Sequence, residues 1–207
     1  MNDNPHVVDD PHAYFRQFIP DREALLRRME ADALENDTPI IGPVLAKLLY
    51  ILAASHSARR ILELGTATGY STIFLAQACR QTGGRVLTFE YDSETAEIAR
   101  QNFNAAGVSD FIDLQIGDAV QGISQLDGSF DLIFLDIEKE DYVRVLPDCE
   151  RLLRKGGLLI ADNTAFRDAD SFNRALHTHP HFESVQLFGY FPDHNPDDDG
   201  ICIATRV

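Results

Sequence analysis

The sequence predicts an α/β fold: a doubly wound, mostly parallel sheet with helices on both faces and an antiparallel strand at its C-terminal end. Three observations predict it. From Arg60 onward, short apolar runs alternate with stretches whose apolar residues recur at helical spacing, and such alternation means strands joined by right-handed helical crossovers. The first run, Ile61-Leu62-Glu63-Leu64, passes through a turn bracketed by Gly65 and Gly69 into a helical pattern of Ile73, Phe74, Ala76 and Ala78. The last two runs, residues 183–188 and 201–206, are separated by a polar loop with no room for a crossover helix, so they pair antiparallel.

The remaining elements follow in order. Residues 11–36 carry Tyr14, Phe15, Phe18 and Ile19, then Leu25, Leu26, Met29 and Leu34, on either side of a Pro20-Asp21 break. This gives two short helices outside the main sheet, available for packing, for a dimer contact or as a flap over a substrate. A helix begins after Pro39, with Leu45, Leu48, Leu49 and Leu52 on one face. Beyond the strand at residues 61–64, Arg85–Glu90 is the second strand, after Gly83-Gly84, and Ser93 is the expected N-cap of a helix over residues 93–106. Residues 111–116, 130–135 and 158–161 are the third, fourth and fifth strands, the last after Gly156-Gly157. Helices are expected over residues 142–153 and 171–179.

Composition excludes several classes. The 207 residues suffice for one domain with a sizeable core, and 44% apolar with 25% charged residues is ordinary for a globular protein. No apolar run has the length of a membrane span, and the opening MNDNPHVVDD lacks the basic-then-apolar order of a secretory leader, so a cytoplasmic protein is expected. Cys79, Cys149 and Cys202 are scattered without CxxC spacing, which argues against a disulfide framework or a zinc motif and reads them as small buried hydrophobes. The net charge of -15 repels phosphate backbones and anionic membranes, and no basic cluster interleaved with aromatics offsets it. The expected partner is a small molecule, not nucleic acid and not a membrane.

In an open α/β sheet, ligands bind at the C-terminal ends of the strands. Those ends here carry Glu63 and the Gly65 to Gly69 turn, Glu90, Gly117-Asp118-Ala119, Asp136, and Asp162-Asn163. Glycine permits positive φ and close approach of a ligand, and the helix start offers free N–H groups, which suits a nucleotide-like molecule. Ala67 stands where a dinucleotide site would want its middle glycine, so a ligand with ribose and adenine but no pyrophosphate fits better. S-adenosylmethionine is such a ligand, and Glu90 is placed to bind its ribose hydroxyls. Asp136, Asp162 and Asn163 offer two carboxylates and an amide carbonyl, an all-oxygen set for Mg²⁺ first, with Mn²⁺ or Ca²⁺ as alternatives. Lys139 follows on the loop after Asp136; beside a bound cation it loses affinity for its proton and can act as a general base.

The segments LELGTATGYS, FLDIEKEDY and LLRKGGLLIADN, in this order and spacing, resemble the cation-dependent class I S-adenosylmethionine O-methyltransferases of the catechol and caffeoyl-CoA type. The similarity covers roughly residues 39–163 and returns at Asp199-Gly200. It implies a Rossmann-like methyltransferase sheet, with residues 1–207 one methyltransferase domain and residues 1–38 a helical extension that can serve a homodimer. It further implies Asp136, Asp162 and Asn163 as metal ligands, with Lys139 catalytic beside Asp136. Glu63, Gly65, Gly69, Tyr70 and Ser71 would form the cofactor turn, Glu90 the ribose acid, and Asp118 and Ala119 the adenine neighbourhood. Ile40 and Ile41 fall where the family closes over the cofactor. The implied reaction moves a methyl group from S-adenosylmethionine to a hydroxyl of a small vicinal diol, such as a catechol. Two departures touch the acceptor side: Glu138 replaces the second Asp of the family's usual Asp-Ala-Asp-Lys, and the loop after Asn163 is trimmed.

Rival readings keep parts of this picture. Methyl transfer to a hydroxylated tRNA base is disfavoured by the missing basic surface, a non-catalytic S-adenosylmethionine-binding module by the intact Asp/Lys/Asp-Asn set, and an NAD-dependent dehydrogenase by Ala67. Glu63 could be a structural acid, although its place before the turn favours the cofactor, and Asp136 and Asp162 could be helix N-caps. His177, His179 and His181 surround Pro180 with no cysteine or acid to complete a zinc site, so an exposed polar turn is expected. Asp197, Asp198 and Asp199 read as a solvated turn, with a place at the pocket rim as the alternative that the family-like Asp199-Gly200 raises, and Phe166, Tyr190 and Phe191 as either acceptor-pocket lining or packing.

Overall fold

Residues 8–36 and 38–207 are described by a computed structural model; residues 1–7, which open the stretch read for a leader, and Asp37 lie outside the described residues. Helices α1 (Pro11–Arg16), α2 (Ala24–Glu35) and α3 (Gly42–Ser55) precede the sheet. Then follow β1 (Arg60–Leu64), α4 (Tyr70–Thr82), β2 (Arg85–Glu90), α5 (Ser93–Ala105), β3 (Ile112–Ile116), α6 (Ala119–Gln125) and β4 (Phe130–Leu135). The chain ends with α7 (Tyr142–Leu152), β5 (Leu153–Ala161), α8 (Asp170–His177), β6 (Phe182–Tyr190) and β7 (Asp198–Arg206).

The seven strands lie in the order β3-β2-β1-β4-β5-β7-β6. The β3-β2-β1-β4-β5 ladder is parallel, while β7 runs antiparallel to both β5 and β6, as expected from the short polar connection. Strand order reverses between β1 and β4, which opens a crevice at their C-terminal ends. The apolar runs of the central strands are continuous because both faces are covered. Ile61, Leu132 and Phe134 face a core with Leu45 and Leu49 of α3 and Ile73 of α4; Leu62, Ile133 and Leu135 face another with Ile123 of α6, Cys149 of α7 and Phe172 of α8. This period-2 division places the ends of β1 and β4 side by side on a rigid base.

Some boundaries differ from expectation. The N-cap of α5 is Asp92, not Ser93: Asp92 is extended and its carboxylate accepts from Thr95 N–H at 2.7 Å, leaving Ser93 as the first helical residue. Strand β5 starts at Leu153, directly at the end of α7, and a register shift against β4 between Phe130 and Leu132 absorbs the early start. All three cysteines are free and buried. Leu26 and Met29 of α2 enter the core, whereas Tyr14, Phe15 and Phe18 contact one another on an exposed surface. Arg16 of α1 pairs with Asp193 and Asp197, and Arg22, in the turn after α1, with Glu30 of α2, so α1 is tied to the β6–β7 loop and the turn to α2. Among the described residues no helix is long and apolar enough to cross a membrane.

Candidate functional site

A cavity of about 550 Å³ opens at the C-terminal ends of β1, β2 and β4. Of the residues singled out from sequence, Ile41, Gly65, Tyr70, Ser71, Glu90, Asp118, Ala119, Asp136 and Lys139 line it, joined by Ile40 and Glu138. Its size lies in the range of small-molecule sites. Glu90 is fixed at its edge, one carboxylate oxygen accepting from Ala67 N–H at 2.8 Å and the other from Asp92 N–H at 3.0 Å. Asp118 caps α6 by accepting from the N–H groups of Val120 and Gln121. The glycines of the turn serve the protein before any ligand. A Cβ on Gly65 would lie 2.0 Å from the Asp136 carbonyl oxygen, and one on Gly69 would meet the Phe103 ring at 2.3 Å. Gly69 also caps α4 at φ 90° and stands behind the cavity wall, not in it.

Glu63 is likewise beneath the wall. It is fully buried, with one oxygen accepting from the Thr72 and Thr88 hydroxyls at 2.5 and 2.7 Å and the other unpartnered. One oxygen is thus taken up by the protein, as a structural acid would be, and the unpartnered one is left for a ligand. Burial pushes its pKa up to about 7, although the hydroxyls of Ser71, Thr72 and Thr88 pull the other way. The unfolded carboxyl titrates near 4.5, so between the two values the folded state keeps a proton that the unfolded chain has lost. Stability gained from this group is present below pH 4.5 and falls as pH rises through 7, by about 3 kcal/mol at full expression. Denaturant midpoints measured from pH 5 to 8 should thus fall more steeply for the wild type than for Glu63→Gln; parallel curves would show that Glu63 is not proton-linked.

The ends of β4 and β5 carry the second half of the site. Leu135 is in register with Ala161, so Asp136 and Asp162 follow side by side. Asp136 N–H donates to Leu64 O at 2.9 Å and Asp162 N–H to Leu135 O at 3.1 Å, while the Tyr142 hydroxyl lies 3.0 and 3.2 Å from the carbonyls of Leu135 and Asp162. Neither Asp caps a helix. Lys139 Nζ donates to Asp136 Oδ1 at 3.0 Å. Burial, with Asp162 adding repulsion, raises the Asp136 pKa despite the opposing Lys139 charge. Asn163 takes φ 48°, tolerable for Asn, and donates through Nδ2 to Asp199 Oδ2 at 2.6 Å. Its carbonyl oxygen is the end left over for an ion.

Two further residues belong here: Asp199, which the sequence offers as part of a solvated turn or at the pocket rim, and His194, which it does not single out. Asp199 is wholly buried, not part of a solvated turn, because antiparallel pairing opposite Gly189 turns it inward, where it also accepts from the N–H groups of Gly200 and Ala165. His194 lies in the β6–β7 loop with its Nε2 2.9 and 3.1 Å from the two Asp162 oxygens and its Nδ1 2.7 Å from Pro196 O. Burial alone would lower the affinity of this ring for a proton, but its bond to Asp162 and that charge hold the pKa above its ordinary value. A histidine in a polar loop 32 residues from its partner gives no periodic signal.

Other expectations need correction. An acid does join the C-terminal histidines: Glu150 of α7 contacts both His179 and His181. His179 Nδ1, however, accepts from His181 N–H, so the cluster reads as an ion-paired turn. Phe166, Tyr190 and Phe191 are not brought to the cavity; Tyr190 stacks on His12 at 4.2 Å and Phe191 packs on the core. The Tyr70 ring borders the cavity while its hydroxyl donates to Glu30 at 2.6 Å.

Comparison with known proteins places this geometry. The sequence profile described as O-methyltransferase matches residues 22–179. The chain is 36% identical over 165 residues to the catechol O-methyltransferase of Mycobacterium tuberculosis, covering 79% of this chain and 74% of that one. It is 39% identical over 127 residues to the catechol O-methyltransferase of Niastella koreensis, covering 59% of this chain and only 57% of the relative. The structure is similar to that of the O-methyltransferase TomG from Streptomyces achromogenes in complex with SAM, with a TM-score of 0.85, 26% identity and 95% of each chain covered.

Proposed function

We propose that this chain, which belongs to the O-methyltransferase family, moves a methyl group from S-adenosylmethionine to one hydroxyl of a small catechol-like diol with the help of a divalent ion. The observation that carries the reading is the adjacency along one sheet edge of two half-sites. Glu90 and the β1–α4 turn border a cavity of adenosyl size, and on the neighbouring strand ends Asp136 and Asp162 stand together with Lys139. The cavity wall offers carboxylates and no cluster of cations, which suits a cofactor without phosphate.

The residues also fit a hard cation. Asp136, Asp162 and Asn163 supply oxygens only, and burial together with repulsion from Asp162 raises the Asp136 pKa, which calls for positive charge at this end of the sheet. A bound ion would supply the charge that acidifies an acceptor hydroxyl, and S-adenosylmethionine would supply the methyl on a sulfonium that the oxyanion displaces in line. Lys139, whose Nζ lies 3.0 Å from Asp136 Oδ1, would take the proton from the acceptor hydroxyl. Gly65 keeps the cofactor turn pressed on the Asp136 backbone, so the two reactants are held at one spacing. Ile40 and Ile41 close the cavity from the N-terminal side and exclude water.

Binding of S-adenosylmethionine by calorimetry and transfer of a labelled methyl to catechol test this directly. Metal stabilisation worth several kcal/mol predicts that chelation lowers turnover by about 10³-fold, restored by Mg²⁺ or Mn²⁺. Turnover that persists in EDTA would remove the ion from the reaction, and absence of cofactor binding would remove the reaction itself.

A further inference from the structure

We propose that Glu30 of α2 is a positioning residue for the cofactor: by accepting the hydrogen of the Tyr70 hydroxyl it fixes α2, and with α2 the segment of residues 38–41, against the start of α4. The inference rests on the reading of the cavity as an S-adenosylmethionine site and extends it to a side chain outside that cavity. Residues 38–41 and Tyr70 line the cavity, whereas Glu30 does not. The Tyr70 hydroxyl donates to Glu30 Oε1 at 2.6 Å. The carboxylate is held in turn by Arg22, whose Nε donates to Oε1 and Oε2 at 2.8 and 3.0 Å and whose Nη2 donates to Oε2 at 2.8 Å. The two side chains of this ion pair are only 19% and 13% exposed. Tyr70 therefore meets an acceptor that is charged and already oriented.

Apolar packing alone would leave the placement of α2 loose. Leu26 and Met29 are buried in the same core as Ile41 and Tyr70, but hydrophobic burial is non-directional and tolerates a small slide or rotation of a helix. Among the described residues the Glu30–Tyr70 contact is the one hydrogen bond between α2 and α4, and it selects a single register for α2. That register reaches the cavity wall through one further turn of helix. Ala33 follows Glu30 by three residues on the same side of α2, and its carbonyl accepts from Thr38 N–H at 2.9 Å, which ties residues 38–41 to the end of the helix. Beyond them the chain enters α3 at Gly42, where Leu45 and Leu49 are wholly buried. The wall segment is thus held at both ends, by α3 in the core and by α2 latched onto Tyr70. A wall that is already ordered loses less conformational freedom when the cofactor arrives, and affinity rises accordingly.

The test measures the affinity of the full chain for S-adenosylmethionine by calorimetry, with the denaturant midpoint of each variant alongside. Tyr70→Phe removes one oxygen and leaves the Arg22–Glu30 pair whole, and Glu30→Ala removes the acceptor. Each should raise the Kd by about tenfold, the order expected when a hydrogen bond to a charged group is lost. The double variant should do no worse than either alone, because both changes remove the same contact. Glu30→Gln, which keeps an acceptor oxygen for Tyr70, should lose less than about threefold. Variants whose midpoints fall while the Kd stays within about twofold of the wild type assign the contact to stability alone and overturn the proposal. Losses that multiply in the double variant overturn it as well, since the two side chains then act separately. Either result leaves the cofactor reading standing, whereas wild-type protein that binds no S-adenosylmethionine overturns both. If Glu30→Ala misfolds, Tyr70→Phe still decides, because an unchanged Kd in that variant is enough to overturn the proposal.

Discussion

Gly65→Ala is expected to leave little folded protein under conditions where the wild-type chain is stable. Gly65 has φ 98°, a region that side chains resist, and its missing Cβ position lies 2.0 Å from the Asp136 carbonyl oxygen and 2.8 Å from the carbonyl carbon. The obstacle is backbone at the end of a central strand, so no rotamer change relieves it. Strain at such a φ costs about 1–3 kcal/mol alone, and separating β1 from β4 adds to it, for a total of about 4 kcal/mol or more against a usual stability of about 5–15. Gly107→Ala is the matched control: it has φ 64° with nothing within 4 Å of a Cβ, so it should show only the strain. Denaturant midpoints of the two variants decide the matter, and equal losses would sink the claim that close approach fixes Gly65.

This contact bears on how much of the molecule was legible in its residues. The alternation of apolar runs and helical spacing located every strand of the parallel ladder, because its central strands are apolar on both faces and its crossovers amphipathic, although β3 at the edge is largely exposed. The strand-end rule then drew Glu90, Asp118, Asp136 and Lys139 to one edge. What sequence alone could not assign was the partner of each polar group. Gly65 borders the cavity as expected, but the atoms its missing Cβ would meet belong to Asp136, and those of Gly69 to Phe103. Glu63 divides its two oxygens, one taken by the Thr72 and Thr88 hydroxyls and one unpartnered, a division the sequence does not show. Asp199 and His194 sat in a polar, acidic loop that reads as solvated; only the β6–β7 pairing, which brings residues 194 and 199 back over the end of β5, turns them inward.

Lys139→Met is expected to lower kcat by about 10² to 10⁴, the usual contribution of a positioned general base, while the affinity for S-adenosylmethionine changes by less than about threefold. Lys139 sits in the turn between β4 and α7, with its Nζ 3.0 Å from Asp136 Oδ1 and 5.7 Å from the Tyr142 ring centroid. That position admits two roles, because a lysine there could take the acceptor's proton or merely neutralise Asp136. The two roles separate by acceptor acidity. A catechol whose hydroxyl is already ionised at the assay pH needs no base, so proton removal as the role of Lys139 predicts that a nitro-substituted catechol loses far less rate in Lys139→Met than catechol itself does. Charge neutralisation predicts the same loss for both acceptors, together with weaker binding of the ion to a disturbed carboxylate pair. Measuring kcat for the two acceptors, and Mn²⁺ affinity alongside, therefore tells a proton acceptor from a counter-charge. An acceptor-independent loss would assign Lys139 to holding Asp136 in place, and the task of removing the proton would pass to solvent.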